Sequence, residues 1–262
     1  MPSRTYLPFH KGAGLIRPSA SAEGGSSIRV DPCKSVVAVF VFLLLAAAQI
    51  YAQTVRPLIA ELGNPAKGRV EYVNDSMTPL NVVLTAKSFT VSETGDLSYR
   101  ALDPGIHLKL STTSFRIQPQ QSYFVFYEAS GDAAPAWFVI YAAFSGFPFR
   151  TQQGMNVRLE LPHTVYLLPK QSVDKSQVRV TRAEYHPDSK AVLVEVENTG
   201  DYFGRVQQTF VASNKKKQEA PGFPLFPHSR RRLEVPLEEV ENPDRVILNF
   251  PNFKVEEKLG SP

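Results

Sequence analysis

The chain is built from short apolar or alternating segments that are separated by turn residues. Arg69–Val73 and Leu80–Leu84 are two such segments, and the turn residues Asn74-Asp75-Ser76 stand between them. β-branched and aromatic residues dominate, and no stretch keeps a helical apolar period over three turns. The pattern therefore predicts an all-β fold made of β-sandwiches. Further predicted strands of this first series are His107–Leu110, Ser122–Ala129, Ala136–Phe144 and Val157–Leu168.

The same pattern restarts after Pro169–Ser176, a polar stretch that we interpret as a linker. Ser213–Pro221 is interpreted as a connecting segment within the second series. Two immunoglobulin-like β-sandwich domains are the simplest account, one over residues 54–169 and a smaller one over 176–258. The predicted strands of the second domain are Val178–Val180, Val192–Val196, Arg205–Ala212, Arg232–Val235 and Arg245–Phe250.

Residues 1–52 have the character of a leader. The uncharged apolar run Val36–Ala48 is about thirteen residues long, whereas a membrane-spanning helix needs roughly twenty. Lys34 precedes the run, and Ala52-Gln53 is a suitable cleavage junction. This layout predicts a cleaved secretory signal peptide, a periplasmic protein and no permanent membrane anchor. An uncleaved anchor and a core element of the fold are the alternatives.

Charge and cysteine content narrow the class of protein. Residues 1–52 hold five of the 29 basic side chains and two of the 25 acidic ones, so the remainder has a net charge of about +1. This near-neutral balance argues against nucleic acid as a partner. The lone cysteine, Cys33, precedes the apolar run, which argues against lipidation, and the mature chain has no cysteine. An exported chain without disulfides suits a bacterial periplasm or cell surface.

The sequence contains no motif for catalysis. It has no nucleophile elbow, phosphate-binding loop, dinucleotide fingerprint or zinc-protease signature. The mature histidines, His107, His163, His186 and His228, lack metal-ligand spacing, and we interpret them as structural. We therefore predict no enzyme activity, no cofactor and no metal site. The charge run Arg230–Arg232 is interpreted as a solvated rim, with a site for acidic partners as the alternative.

Two aromatic segments, Tyr123–Tyr127 and Trp137–Phe144, are apolar on both faces of their predicted strands. An antiparallel sheet that exposes one face to water normally alternates between apolar and polar residues. Their outer faces should therefore be covered. The cover is either the second domain or a loop, or else a partner protein that binds an exposed apolar surface.

The last strand of the first domain alternates strictly over most of its length. One face carries apolar side chains, and His163 is the only break; the other face is mostly polar. Pro162 cannot donate a ladder hydrogen bond, so we expect an edge strand or a bulge there. Such an edge can pair with another chain, although an ordinary sandwich strand is the alternative. The apolar residues of the alternating face are Val157, Leu159, Leu161, Val165 and Leu167.

The order of leader, sandwich, linker and second sandwich resembles the periplasmic pilus-assembly chaperones of the PapD type. "VEYVNDSMTPLNVVL" resembles the second and third strands of that family, and "SFRIQPQQSYFVFYEAS" resembles its proline-marked turn into a strand. "LELPHTVYLLPK" is similar to its last strand, and "VEVENTGDYFGRV" to a strand and turn of its second domain. The family's acidic residue before an aromatic strand with an internal asparagine is missing from "APAWFVIYAAFSGFP".

The resemblance implies a chaperone that caps pilin-like subunits by donating an edge strand, with an outer-membrane usher as a further partner. It implies that Val157, Leu159, Leu161, Val165 and Leu167 contact the subunit. By the same resemblance, Arg56 and Lys170 are the nearest candidates for binding the subunit's terminal carboxylate, although both are offset from the family's register. The alternative is a structural or adhesive β-sandwich protein of the cell surface. A hydrolase has neither a nucleophile motif nor a metal cluster to support it.

Overall fold

The computed structural model describes residues 53–146, 159–214, 216–238 and 240–260. The predicted leader over 1–52 and the predicted binding residue Val157 lie outside these ranges. Within them, no helix is long and apolar enough to span a membrane.

The first half of the described chain forms two facing sheets, which we call the first sandwich. One sheet has the order β1-β3-β8-β6, and the other has the order β2-β10-β9-β4-β5 with β7 also paired to β4. The two sheets enclose one apolar core, to which both contribute buried side chains such as Tyr72 and Phe138. The strands are β1 (Gln53–Arg56), β2 (Ile59–Gly63), β3 (Ala66–Asn74), β4 (Leu80–Val91), β5 (Leu97–Ala101), β6 (Ile106–Leu110), β7 (Ser114–Ile117), β8 (Gln121–Gly131), β9 (Ala136–Ser145) and β10 (Leu159–Leu168).

The second half forms the second sandwich, with sheets of order β11-β12-β15 and β14-β13-β16-β17. The all-β prediction and the two-sandwich fold class are thus confirmed. A single 3₁₀ turn, Lys175–Gln177, precedes the first of these strands. The strands are β11 (Val178–His186), β12 (Ala191–Asn198), β13 (Gly204–Ala212), β14 (Lys217–Leu225), β15 (Ser229–Pro236), β16 (Arg245–Asn249) and β17 (Lys254–Lys258).

Two details of the second series differ from the sequence interpretation. The segment taken as a connection over Ser213–Pro221 contains the first part of β14. Pro221 and Pro224 are accommodated because β14 lies at the edge of its sheet and pairs only with β13. The linker Pro169–Ser176 is not wholly free either, since Val173 is buried in the core of the second sandwich.

In each sandwich, a buried asparagine at the end of a strand forms hydrogen bonds with the turn that follows. The side-chain amide of Asn74 donates to the carbonyl of Thr78 at 2.8 Å, and its oxygen accepts the N–H of Ser76 at 3.0 Å. Asn198 repeats both contacts at the same spacing, with the carbonyl of Tyr202 at 2.8 Å and the N–H of Gly200 at 2.9 Å. A side chain that satisfies loop groups in this way holds the turn after the strand in one conformation.

Candidate functional site

Strand β10 is paired differently along its two halves. It pairs antiparallel with β9 from Leu159 opposite Phe144 to Leu167 opposite Ala136. On its other side, β2 pairs in parallel only with Thr164–Leu168. No described strand pairs with β10 on that side before Thr164, so the outer edge beside Leu159 and Leu161 is open. Pro162 lies within this open stretch and causes no bulge against β9.

The alternating residues of β10 separate into two groups. Val165 and Leu167 are fully buried in the core of the first sandwich, and β2 covers the strand edge beside them. Neither side chain is accessible in the folded chain, and their contact with a subunit stays a prediction. Leu159 and Leu161 are half-buried against the same core and lie on the open stretch. These two are the predicted residues that the structure leaves at an available edge.

Exposed apolar residues that the sequence analysis missed adjoin this edge. Leu58 and Ile59 are 57% and 50% exposed where β2 begins. The backbone N–H of Thr164 donates to the carbonyl of Leu58 at 2.8 Å, which places the pair next to the point where the open stretch ends. Only the short apolar run Leu58-Ile59-Ala60 between polar residues could have indicated them.

His163 fixes the position at which β2 joins the sheet. Its Nδ1 lies 2.6 Å from the carbonyl of Pro57, and its Nε2 lies 3.0 Å from the hydroxyl of Tyr127. A carbonyl can only accept, so Nδ1 carries the proton, and the neutral ring accepts the Tyr127 hydroxyl at Nε2. Burial lowers the pKa of His163, against a smaller raising effect of the Pro57 carbonyl. Burial raises the pKa of Tyr127 to about 12, which keeps the hydroxyl protonated.

A glycine makes room for this contact between the sheets. A Cβ at Gly68 would lie 2.4 Å from the Tyr127 hydroxyl oxygen, so any larger residue would displace the ring. His163 and Tyr127 belong to different sheets, and together they join β10, β8 and the segment before β2. His163 thus has a structural role in the folded chain.

The two basic residues predicted to bind a carboxylate are not brought together. Arg56 is exposed at the end of β1, opposite Glu71 on β3, and Lys170 is exposed beyond the end of β10. The parallel pairing of Ile59–Gly63 with Thr164–Leu168 separates them. This paired stretch alone spans about 13 Å at ~3.3 Å per residue, and a shared carboxylate site for the two residues stays a prediction.

The second sandwich covers the outer face of the sheet that contains β9 and β10. Phe89, Val139 and Tyr166 of the first sandwich pack against Phe203 and Phe226 of the second, and we call these five residues the inter-sandwich cluster. For the aromatic segment in β9, the covering surface is thus the second sandwich. The aromatic segment in β8 is different, because its outer face is exposed.

Arg231 adds polar contacts between the two sandwiches. It is buried, and its Nη1 donates to the carbonyls of Ser92 and Glu93 at 2.9 and 3.2 Å. Arg230 and Arg232 form ion pairs with glutamates of β12. The interpretation of Arg230–Arg232 as a solvated rim is therefore wrong for its central residue.

The described residues contain no cluster of three or more potential metal ligands. The distinctive feature of the first sandwich is a strand edge with apolar side chains that no second described strand covers. This arrangement suits the addition of a strand from another chain.

No protein-family model matches the chain, and no curated protein matches it. Solved structures do match. The YadV chaperone has a TM-score of 0.51 at 11% identity, over 79% of this chain and 99% of its own length. The SafB chaperone in complex with the Salmonella enterica SafA pilin has a TM-score of 0.52 at 11% identity, over 81% and 99%. Similarity at this identity shows the fold: the chain has the two-domain β-sandwich fold of the PapD-like chaperones.

Proposed function

We propose that this chain is a periplasmic chaperone that binds pilin-like subunits through the free edge of β10. The observation that carries the proposal is the half-paired state of this strand: β2 pairs with Thr164–Leu168, whereas no described strand pairs with that edge beside Leu159 and Leu161. A client strand that pairs with this edge would form main-chain hydrogen bonds with β10. Its side chains would form apolar contacts with the side chains beside the edge.

Leu159 and Leu161 are the residues that we assign to subunit contact. They share one face of β10 and are only half-buried, so a client can cover what the sandwich leaves exposed. Full burial of a leucine side chain contributes about 1.5–3 kcal/mol relative to exposure. Val157 would extend the same face by one position and stays a prediction. Leu58 and Ile59 supply additional apolar surface beside the edge.

The fold supports this assignment, because the SafB chaperone that it resembles was solved with a pilin bound. Export to the periplasm follows from the predicted signal peptide, and the usher from the family resemblance. Arg56 and Lys170 remain predictions for charge contacts with the subunit.

The proposal is tested by expressing the chain together with a pilin-like subunit encoded beside its gene. We expect the wild type to purify with the subunit. Leu159→Glu should lose more than 90% of the bound subunit, because the variant places an unpaired charge in the contact. Leu97→Glu is the matched control, since Leu97 is an exposed leucine on β5, three strands from β10 in the same sheet.

Both variants should melt within a few degrees of the wild type. Subunit binding that is equal in Leu159→Glu and Leu97→Glu would overturn the assignment of the edge. A wild type that is displayed on the cell surface and binds no subunit would favour the structural or adhesive alternative.

A further inference from the structure

The first sandwich has a second free edge, on β8. Strand β3 pairs with β8 from Gln121 to Ala129 on one side. On the other side, β6 pairs only with Tyr127–Gly131. After β6 the chain crosses to the other sheet, where β7 pairs with β4. The first part of β8 therefore has a strand neighbour on one side only among the described residues.

The backbone of this stretch offers hydrogen-bonding groups to the open side. The carbonyl of Phe126 accepts the N–H of Ser111 at 2.8 Å, and the N–H of Phe126 donates to the Ser111 hydroxyl at 3.1 Å. The backbone of Phe126 therefore points away from β3. Backbone direction alternates along a strand, so the N–H and C=O groups of Ser122 and Phe124 point the same way. Neither residue has a strand partner on that side among the described residues.

The side chains around this edge are aromatic and exposed. Phe124 and Phe126 lie on the outer face and are 43% and 57% exposed. Tyr123, on the inner face, is 38% exposed and stacks on Phe115 with ring centroids 4.3 Å apart. A strand added here would cover aromatic surface on both of its faces, whereas an ordinary solvent edge carries charged residues or proline.

Three basic side chains lie around this edge, together with the acidic side chain of Glu128. Arg69 lies over the Phe124 ring at 5.7 Å and forms no ion pair within the described part of the chain. Lys67 pairs with Glu128 and lowers its pKa; Lys109, on the adjoining strand, adds a smaller lowering effect without a close ion pair among the described residues. Lys67, Lys109, Phe126 and Glu128 line one cavity of about 270 Å³ at the point where β6 leaves β8. Carboxylates on an incoming segment would therefore be attracted to this edge.

We propose that the free edge of β8 binds an extended segment of a partner protein that carries apolar side chains at alternate positions and carboxylates beside them. The segment pairs with the backbone of Ser122 and Phe124 and covers Tyr123, Phe124 and Phe126. This edge belongs to the sheet of order β1-β3-β8-β6, on the side away from β1. The β10 edge adjoins β1 and β2, so the two edges are separate sites. The inference does not depend on the proposed function of β10.

Hydrogen exchange measured by NMR tests the backbone part of the proposal. The amides of Ser122 and Phe124 should exchange quickly in the free chain. A synthetic nine-residue peptide of alternating valine and glutamate should slow both at least tenfold. The same peptide with lysine in place of glutamate should bind at least tenfold more weakly, because it meets Arg69 and Lys109. A peptide N-methylated on the edge that faces β8 should give no protection.

Variants test the side-chain part. Phe124→Ser and Phe126→Ser should each weaken binding of the glutamate peptide by roughly tenfold, since central aromatic contacts dominate such interfaces. Leu97→Ser, an exposed apolar change on β5, should leave binding unchanged. The proposal is overturned by amides that are already protected in a monomer, or by binding without protection. Dimerisation that Phe126→Ser abolishes would likewise replace the partner segment with a second copy of the chain.

Discussion

Replacing Asn74 with aspartate is the sharpest test of how the first sandwich is held together. Asn74 is fully buried, and its amide nitrogen faces three carbonyl oxygens. The carbonyl of Thr78 lies 2.8 Å away, and those of Gln118 and Ile117 lie at 3.2 and 3.3 Å. Aspartate has nearly the same shape, but when ionised it points a negative oxygen at these acceptors.

The size of the destabilisation follows from the loss of the side chain's N–H donors at a buried position. An uncompensated buried charge costs about 3–5 kcal/mol, whereas Asn74→Ala should cost about 1–3 kcal/mol by leaving partners unsatisfied. For a chain of this size, 1 kcal/mol shifts the thermal midpoint by about 2–4 °C. Asn74→Asp should therefore melt at least ~6 °C below the wild type at pH 7. Asn81→Asp, at an exposed position on β4, is the matched control and should stay close to the wild type.

Measurements of stability at acidic pH distinguish this explanation from a general disruption of the fold. Burial and the three carbonyls should raise the pKa of the new carboxyl above its unfolded value of about 3.9. The unfolded chain then ionises first as the pH rises, so the penalty is absent below about pH 3.9 and grows above it. A protonated carboxyl can also donate to the Thr78 carbonyl. The reasoning is refuted if Asn74→Asp melts with Asn81→Asp at pH 7, or if its deficit relative to the wild type does not shrink at pH 4.

Three further predictions concern other parts of the chain. The pKa of His163 is lowered in the folded state, so its contribution to stability should be lost as the pH falls below about 6.5. In urea titrations, the free energy of unfolding of His163→Gln should therefore depend less on pH than that of the wild type. Phe226→Ala should lower the free energy of unfolding by about 3 kcal/mol and separate two calorimetric transitions, whereas Phe126→Ala, an exposed control, should do neither. N-terminal sequencing of the exported protein should start near Gln53; a full-length chain extracted from the membrane would contradict the signal peptide.

The strands that the sequence predicts well are those whose side chains alternate or form dense apolar runs. β9 and β10 were found because one face of each fills a core, and the inward parity of Val165 and Leu167 is correct. β5 was missed because all five of its residues are exposed, so no pattern marks it. β1 and β2 were missed because they are only four and five residues long. A backbone ladder rather than side-chain burial forms these strands.

The binding site was predictable only in part, for a related reason. Alternation identifies which face of β10 is apolar, but the pairing of its edge depends on a distant segment. The point at which β2 begins to cover β10 lies beside the contact of His163 with Pro57, two residues more than 100 positions apart in sequence. The sequence therefore indicated five contact residues where the structure leaves Leu159 and Leu161 available. The exposure of Phe124 and Phe126 depends in the same way on where β6 ends.

The position of the second sandwich explains why the proposed partner sites lie at strand edges. Val139 and Tyr166 on the outer face of the β9–β10 sheet are buried against Phe203 and Phe226, so that face is not free for another protein. Among the surfaces that the first sandwich leaves exposed are the open half of β10 and the open half of β8. The open half of β10 lies before the point where β2 begins, and the open half of β8 lies beyond the end of β6. Because the two edges are separate, a chain that holds a subunit at β10 keeps the β8 edge available for a second protein.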